Sequence, residues 1–417
     1  MKSANLIAAF ALATGSAVAG NTIEWLPAGE HDLLADRLTT QLDAIPASMH
    51  TETSAIAFAW PASDDRLNEA APAVMAESRQ YWYDTDSHSL AKGIELPISA
   101  PGAVIRLSAL DSGSNLQLDP GHLELAVNGL TLETTSLEHM ASGRQMRDQG
   151  LSVPEDSFAF KLPAHTDAGT LHIRMQQAGG RIPMVIHVHE PDSPWSARLT
   201  TPRQSLLAGQ DMSLDIVLTD GQQELAVDRV QALLVSPDVS ESWSLEYNNQ
   251  GQLKGSAQLA SATTAPGLYE AHVYAEHDEG GVTIRRDLKL AFGIAPASGR
   301  FTGDVRQDGA GFALNIGVEV AVDGRYQVNG EIYGTNEFGQ LEPLAFAQSA
   351  ATMGAGQGVI RLELDPASVS SSGLGAPFEV HKLQLLDQGR MFLLEERSQA
   401  IRVAELQPRE SRRPFER

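Results

Sequence analysis

Three histidines offer the clearest prospect of chemistry in this sequence. His187 and His189 alternate along an extended run, so both imidazoles project from one face of a strand. In the preceding run, His172 and Arg174 alternate with Leu171, Ile173 and Met175. Gly179-Gly180 lies between the two runs and suits a two-residue hairpin turn, because glycine tolerates the positive φ that such turns require. Centring the turn there pairs Leu171 with Val188, Ile173 with Ile186 and Met175 with Met184, which puts six apolar residues on one face. The same register sets His172 opposite His187 on the other face. Three imidazoles on one sheet face would form a zinc site, with Glu190 or Asp192 near the strand end as an oxygen ligand. The plainer alternative is a solvated polar face. Arg174 on the same side favours it, since a cation opposes a metal.

Other candidates are weaker in pattern. Asp84-Thr85-Asp86-Ser87-His88 and His277-Asp278-Glu279 are acidic turns with oxygen ligands for calcium, but neither has the spaced ligands of a twelve-residue calcium loop. Tyr81, Trp82 and Tyr83 are consecutive. In a strand Trp82 faces one side and the two tyrosines the other, giving either a binding patch of exposed aromatic anchors or a core with tyrosines at its rim. Catalytic signatures are missing. The sequence contains no Gly-x-Ser-x-Gly elbow, no His-Glu-x-x-His helix, no phosphate-binding Gly-x-x-x-x-Gly-Lys-Ser/Thr loop and no dinucleotide glycine fingerprint.

The elements that would position these residues are strands. Runs at 55–60, 80–84, 104–110, 123–127, 158–162 and 171–175 are short, alternating and punctuated by Gly, Pro, Asp and Asn, the pattern of β-sandwiches. One helix is expected near the start, where Leu33, Leu34, Leu38, Leu42 and Ile45 recur at three- and four-residue spacing. Glu190-Pro191-Asp192-Ser193-Pro194 and Pro296-Ala297-Ser298-Gly299 read as junctions. The fold class is therefore mainly β: three β-rich domains in tandem, at 20–193, 194–296 and 297–404, the last two immunoglobulin-like, with a disordered tail at 405–417. Pro266-Gly267-Leu268-Tyr269, followed by alternating alanine and valine, suits a tyrosine corner at the entry to a late strand.

Composition narrows the setting. The chain has 417 residues and no cysteine, so disulfides, thiolate metal sites and cysteine nucleophiles are excluded. Its 53 acidic against 30 basic side chains give a net charge of −23, which argues against nucleic acid or an anionic membrane as partner. Lys2, the apolar run 6–12 and Ala17-Val18-Ala19 form a secretory signal pattern over residues 1–19, with cleavage expected after Ala19. No later stretch is long and apolar enough for a transmembrane helix. An exported chain without disulfides must be held by its cores, which requires domains of about a hundred residues or more.

Several short motifs then carry a resemblance. Glu77-Ser78-Arg79-Gln80-Tyr81-Trp82-Tyr83 is followed by Leu90-Ala91-Lys92-Gly93-Ile94-Glu95-Leu96-Pro97 and by Ser99-Ala100-Pro101-Gly102-Ala103. Near the end come Ser372-Gly373-Leu374-Gly375-Ala376-Pro377-Phe378 and Leu386-Asp387-Gln388-Gly389-Arg390-Met391. Together they resemble a bacterial secreted family known as domain of unknown function 4785. The resemblance implies an N-terminal β-rich region followed by immunoglobulin-like domains, and export, including passage through the outer membrane by type II secretion. It brings no catalytic residues.

The expectation is a non-enzymatic binding or interaction module, periplasmic or secreted, with a protein or glycan ligand and no bound cofactor. The alternative is a zinc enzyme built on His172, His187 and His189.

Overall fold

The computed structural model describes residues 23–39, 42, 52–62, 74–111, 116, 118–175, 181–225, 227–248, 251–256, 267–308 and 311–406. The signal stretch 1–19, Ile45, the Gly179-Gly180 turn and residues 407–417 of the tail lie outside them. The described chain is dominated by β-strands, with a few helices of six or seven residues. It divides into two compact units, residues 70–297 and residues 1–69 with 298–417.

The unit 70–297 contains two sandwiches. In the first, the strands Gln80–Asp86, Pro183–His189, Val104–Ala109, Phe158–Lys161 and His139–Ser142 lie side by side in that order. They pack on a second sheet ordered Ile94–Ile98, Gly169–Met175, Leu123–Val127, Leu130–Leu132. Leu96, Leu125 and Leu171 from one sheet meet Ile105, Phe160 and Ile186 from the other in a single core. The second sandwich is built from Val74–Ser78, Ser196–Thr201, Asp211–Thr219, Arg229–Val235, Ser242–Tyr247, Tyr269–Glu279 and Val282–Ala295, with shorter strands between. Leu199, Leu214 and Ile216 there close against Leu234, Val273 and Leu290.

The hairpin expected at 171–189 does not form. Gly169–Met175 pairs with Ile94–Ile98 and Leu123–Val127, whereas Pro183–His189 pairs with Gln80–Asp86 and Val104–Ala109. The alternation itself is right. Leu171, Ile173, Met175, Met184, Ile186 and Val188 all point inward at 0% exposure. They meet across the sandwich core and not along a shared ladder. A period of two specifies which face is buried, and it is the same for hairpin strands as for strands in facing sheets.

In the other unit, a sheet ordered Ile23–Trp25, Phe392–Val403, Gly375–Asp387, Gly324–Thr335, Leu341–Met353, Ile56–Pro61 packs on Gly299–Gln307, Ala313–Val320 and Gly356–Glu363. Val328, Ile332, Val380 and Ile401 meet Leu314, Ile316, Val318 and Leu362 at 0% exposure. Both flanking strands of the larger sheet come from the first 61 residues, so the expected block 20–193 is divided between the units. The expected helix is absent through Thr39. Leu33 instead bridges Glu396, its N–H and carbonyl both bonded at 2.9 Å. Burial of Leu33 against the sheet overrides a helical spacing of leucines. Tyr269 opens the strand Tyr269–Glu279 and is buried, while Pro266 ahead of it lies outside the described residues. Tyr326 also bonds back four residues in the manner of a tyrosine corner, its hydroxyl donating to the Val322 carbonyl at 2.9 Å.

Candidate functional site

The expected zinc trio is dispersed. His172 lies on the outer face of the Gly169–Met175 sheet, beside Glu95 and Ala126. Its ring packs over Gly93, where a Cβ would lie 2.5 Å from Nε2 and where φ is +104°. His187 and His189 lie on the outer face of the opposite sheet, with the sandwich core between them and His172. His187 Nε2 is 2.8 Å from Gln80 Oε1, and its ring stacks on Trp82 with centroids 4.7 Å apart. Burial, with Arg106 and His189 alongside, pushes the His187 imidazole down to about 4, so it is neutral at physiological pH. Glu190 is committed elsewhere, to Arg286 and Ser99. Among the described residues, no group of three or more His, Cys, Asp or Glu could hold a metal. The three histidines therefore do not meet in one zinc site. The cause is the mispaired hairpin that placed His172 beside His187.

The calcium turns are also occupied. Asp86 caps the helix Ser87–Lys92 by accepting from Ser89 N at 2.8 Å. Asp278 accepts from Thr283 Oγ1 at 2.7 Å and from Arg229 Nη2 at 3.1 Å. The aromatic triplet alternates as expected but makes no exposed patch. Tyr81 is fully buried and donates its hydroxyl to the Pro97 carbonyl at 2.8 Å, and Tyr83 packs on the same core. Trp82 lies outside that core, beneath His187. Its backbone N–H donates to Asp287 Oδ2 at 2.7 Å, which closes an otherwise open edge of the sheet.

The most developed surface lies in the other unit, on the outer face of the six-stranded sheet. Ile56–Pro61 alternates small and aromatic residues, and Phe58 and Trp60 stand 57% and 50% exposed. Their ring centroids are 6.2 Å apart and their planes 22° from parallel. Phe346, the cross-strand partner of Trp60, adds a third ring at 38% exposure. Beside these rings Gln327, Asn329, Glu331 and Tyr333 point outward from Gly324–Thr335, because Tyr326, Val328 and Ile332 take the core side.

A chain of amides crosses this face. Gln388 donates to Gln327, Gln327 Nε2 to Asn329 Oδ1 at 2.7 Å, Asn329 Nδ2 to Gln384 Oε1 at 3.3 Å, and Gln384 to Glu396. A second chain holds the charges. Lys382 Nζ is 3.0 Å from Glu331 Oε1, and the Tyr333 hydroxyl donates to Glu331 Oε2 at 3.3 Å. Tyr333 packs against His381 with centroids 4.5 Å apart and planes tilted by 31°, and His381 and Arg402 both engage Glu379. Burial pushes the Glu379 carboxyl up, but hydrogen bonds from His381 and Arg402 outweigh it and hold the group below its ordinary value. Between rings and amides runs a groove of about 300 Å³ whose floor is the backbone of Gly330 and Ala347. A side chain at Gly330 would meet Val380 Cγ1 at 2.9 Å, so glycine keeps this strand seated on its core. The sequence carried a signal for this face: Phe-x-Trp in a short strand, and Gln-x-Asn-x-Glu-x-Tyr opposite an apolar register.

Residues 47–190 match the model for the N-terminal domain of a domain of unknown function, DUF4785. Residues 298–404 match the model for its C-terminal domain. A crystal structure of a DUF4785 family protein from Legionella pneumophila is similar at a TM-score of 0.67 and 18% identity, covering 89% of this chain and 100% of that one. At that identity the likeness speaks to the fold. No curated protein matches the chain.

Proposed function

The chain belongs to the DUF4785 family, and we propose that it is an exported, non-catalytic binding protein that works in the periplasm or outside the cell. Export is supported by the signal pattern of residues 1–19, and the resemblance stated above points the same way. The observation that carries the binding role is the outer face of the six-stranded sheet. Three aromatic rings exposed beside a fixed array of amides form a recognition surface, with apolar anchors and a polar surround. The carboxylates on that face are engaged by lysine, arginine, histidine or glutamine partners, and this favours binding over acid–base chemistry.

The test uses the purified chain from residue 20 onward, co-sedimented with isolated bacterial envelopes. The expected result is saturable retention that a Trp60→Ala/Phe346→Ala variant loses while its circular dichroism spectrum is unchanged. Retention that is indifferent to the double substitution would remove this face from the function. Turnover of a polysaccharide or peptide library by the purified chain would replace binding with catalysis.

A further inference from the structure

We infer that the occupant of this face is a neutral, extended, β-linked glycan chain lying along the groove between Trp60 and Gln384, a conclusion that rests on the binding role proposed above.

The chemistry of the groove selects the ligand. Its backbone floor is already spent in the ladders, since Asn329 pairs with Gln348 and Gly330 with Ala347. A peptide seeking main-chain partners would find none on a sheet face, so recognition there must come from side chains. The side chains present are rings and primary amides. An aromatic face carries negative quadrupolar charge and attracts weakly positive C–H groups, which a pyranose ring presents on its flat sides. Each amide offers both donors and acceptors, and a sugar hydroxyl is likewise both. The amides of Asn329 and Gln384 are bonded to one another, so their orientation is set before a ligand arrives and little ordering cost remains.

Charge and shape narrow the class. Lys382 neutralises Glu331 at the groove wall, and a surface whose charges are internally paired suits an uncharged ligand over a polyanion. Trp60 and its cross-strand partner Phe346 both line the groove, so these two rings follow its length across the strands. A β-linked chain is an extended ribbon and can follow such a line of rings, whereas an α-linked helix would touch it at one ring only. A volume of about 300 Å³ is at the lower end of small-molecule sites, roughly 300–1,000 Å³, which suits a short stretch of a longer chain.

The test is calorimetric titration of the chain from residue 20 onward with cellohexaose and with chitohexaose. Saturable binding of at least one, at about 1 mM or tighter, is expected. Trp60→Ala, Phe346→Ala and Gln384→Ala should each weaken it by about tenfold or more. Tyr274→Ala, which removes an exposed ring of the other unit, should leave it unchanged. Absence of binding to both hexasaccharides, or binding that survives Trp60→Ala/Phe346→Ala, would overturn the inference. So would self-association in sedimentation velocity that the double variant abolishes, since the face would then serve a second copy of the chain. Envelope retention that depends on the face, with neither hexasaccharide bound, would reject the glycan and leave the binding role standing. Loss of both would reject the two together.

Discussion

Arg286 Nη1 lies 2.7 Å from Glu190 Oε2, and each side chain exposes only 1% of its surface. The pair joins the two sandwiches of the 70–297 unit. Arg286 also donates to Ser99 and Ser193 hydroxyls and to the Trp195 carbonyl, while Glu190 accepts from Ser99 and from Ala100 N. The acidic, proline-bearing stretch at 190–194 reads as a linker in sequence, but in the fold its Glu190 and Ser193 are buried in this joint while Pro191, Asp192 and Pro194 are exposed. A buried charge whose partner is removed keeps its desolvation cost and loses the compensation. Glu190→Ala should destabilise this unit by about 3–5 kcal/mol in urea unfolding. Replacing both residues by apolar ones, Glu190→Leu/Arg286→Met, should recover most of that loss. A double variant as unstable as the single one would mean the joint depends on its hydrogen bonds and not on the charge.

Two buried groups flanking Trp82 should give stability an opposed pH dependence. Burial raises the Asp287 carboxyl to about 7, so between about 4 and 7 the folded state holds a proton that the unfolded chain releases. That contribution falls as pH rises. Burial lowers His187 to about 4, so between about 4 and 6.5 the unfolded chain binds the extra proton and the contribution rises with pH. The two slopes largely offset each other in the native chain. Asp287→Asn should expose the rising slope and His187→Gln the falling one, measured as denaturation midpoints from pH 4 to 8. Parallel profiles for both variants would contradict the assignment.

Gly93 should resist substitution for two separable reasons. Its φ of +104° is costly for any residue with a Cβ, and that Cβ would lie 2.5 Å from His172 Nε2. Gly93→Ala should cost about 1–3 kcal/mol. His172→Ala in the same chain should remove the steric part and leave the backbone part, so the thermal midpoint recovers only partly. Full recovery would show that the backbone there carries little strain.

How far these features could be read in advance depends on the range of the interaction. Inward and outward faces at 171–175 and 184–189 were legible because alternation is local. The partners of those strands were not, because hairpin and sandwich require the same alternation. The histidine trio failed with the pairing, although each histidine faces outward as expected. Tyr81 was legible as aromatic, but its burial depends on strands far along the chain. The aromatic and amide face had a local pattern in Phe58-Ala59-Trp60 and in the polar register of Gln327 to Tyr333. What makes it a surface is the pairing of Trp60 with Phe346, nearly 300 positions away, which no spacing rule conveys.

The same long-range pairing predicts how the C-terminal sandwich responds to being cut out. Ile23–Trp25 covers the strand Phe392–Val403, and Ile56–Pro61 covers Leu341–Met353. Trp25 also packs on Phe301 with centroids 5.6 Å apart and under the Arg397 guanidinium at 4.9 Å. The Glu395 carboxylate ties Ala35 N to Phe301 N at 3.1 and 3.2 Å, joining the N-terminal strap to the opposite sheet. A chain of residues 298–406 alone would expose two long strand edges, uncover Trp25's contact surface and leave a buried carboxylate short of a donor. Unprotected edges of this kind pair with one another. Expressed alone, 298–406 should aggregate or sediment as a mixture. Residues 20–62 joined by a flexible linker to 298–406 should give a soluble monomer that unfolds cooperatively. A monomeric, cooperatively folded 298–406 would show that the two N-terminal strands decorate this sandwich without completing it.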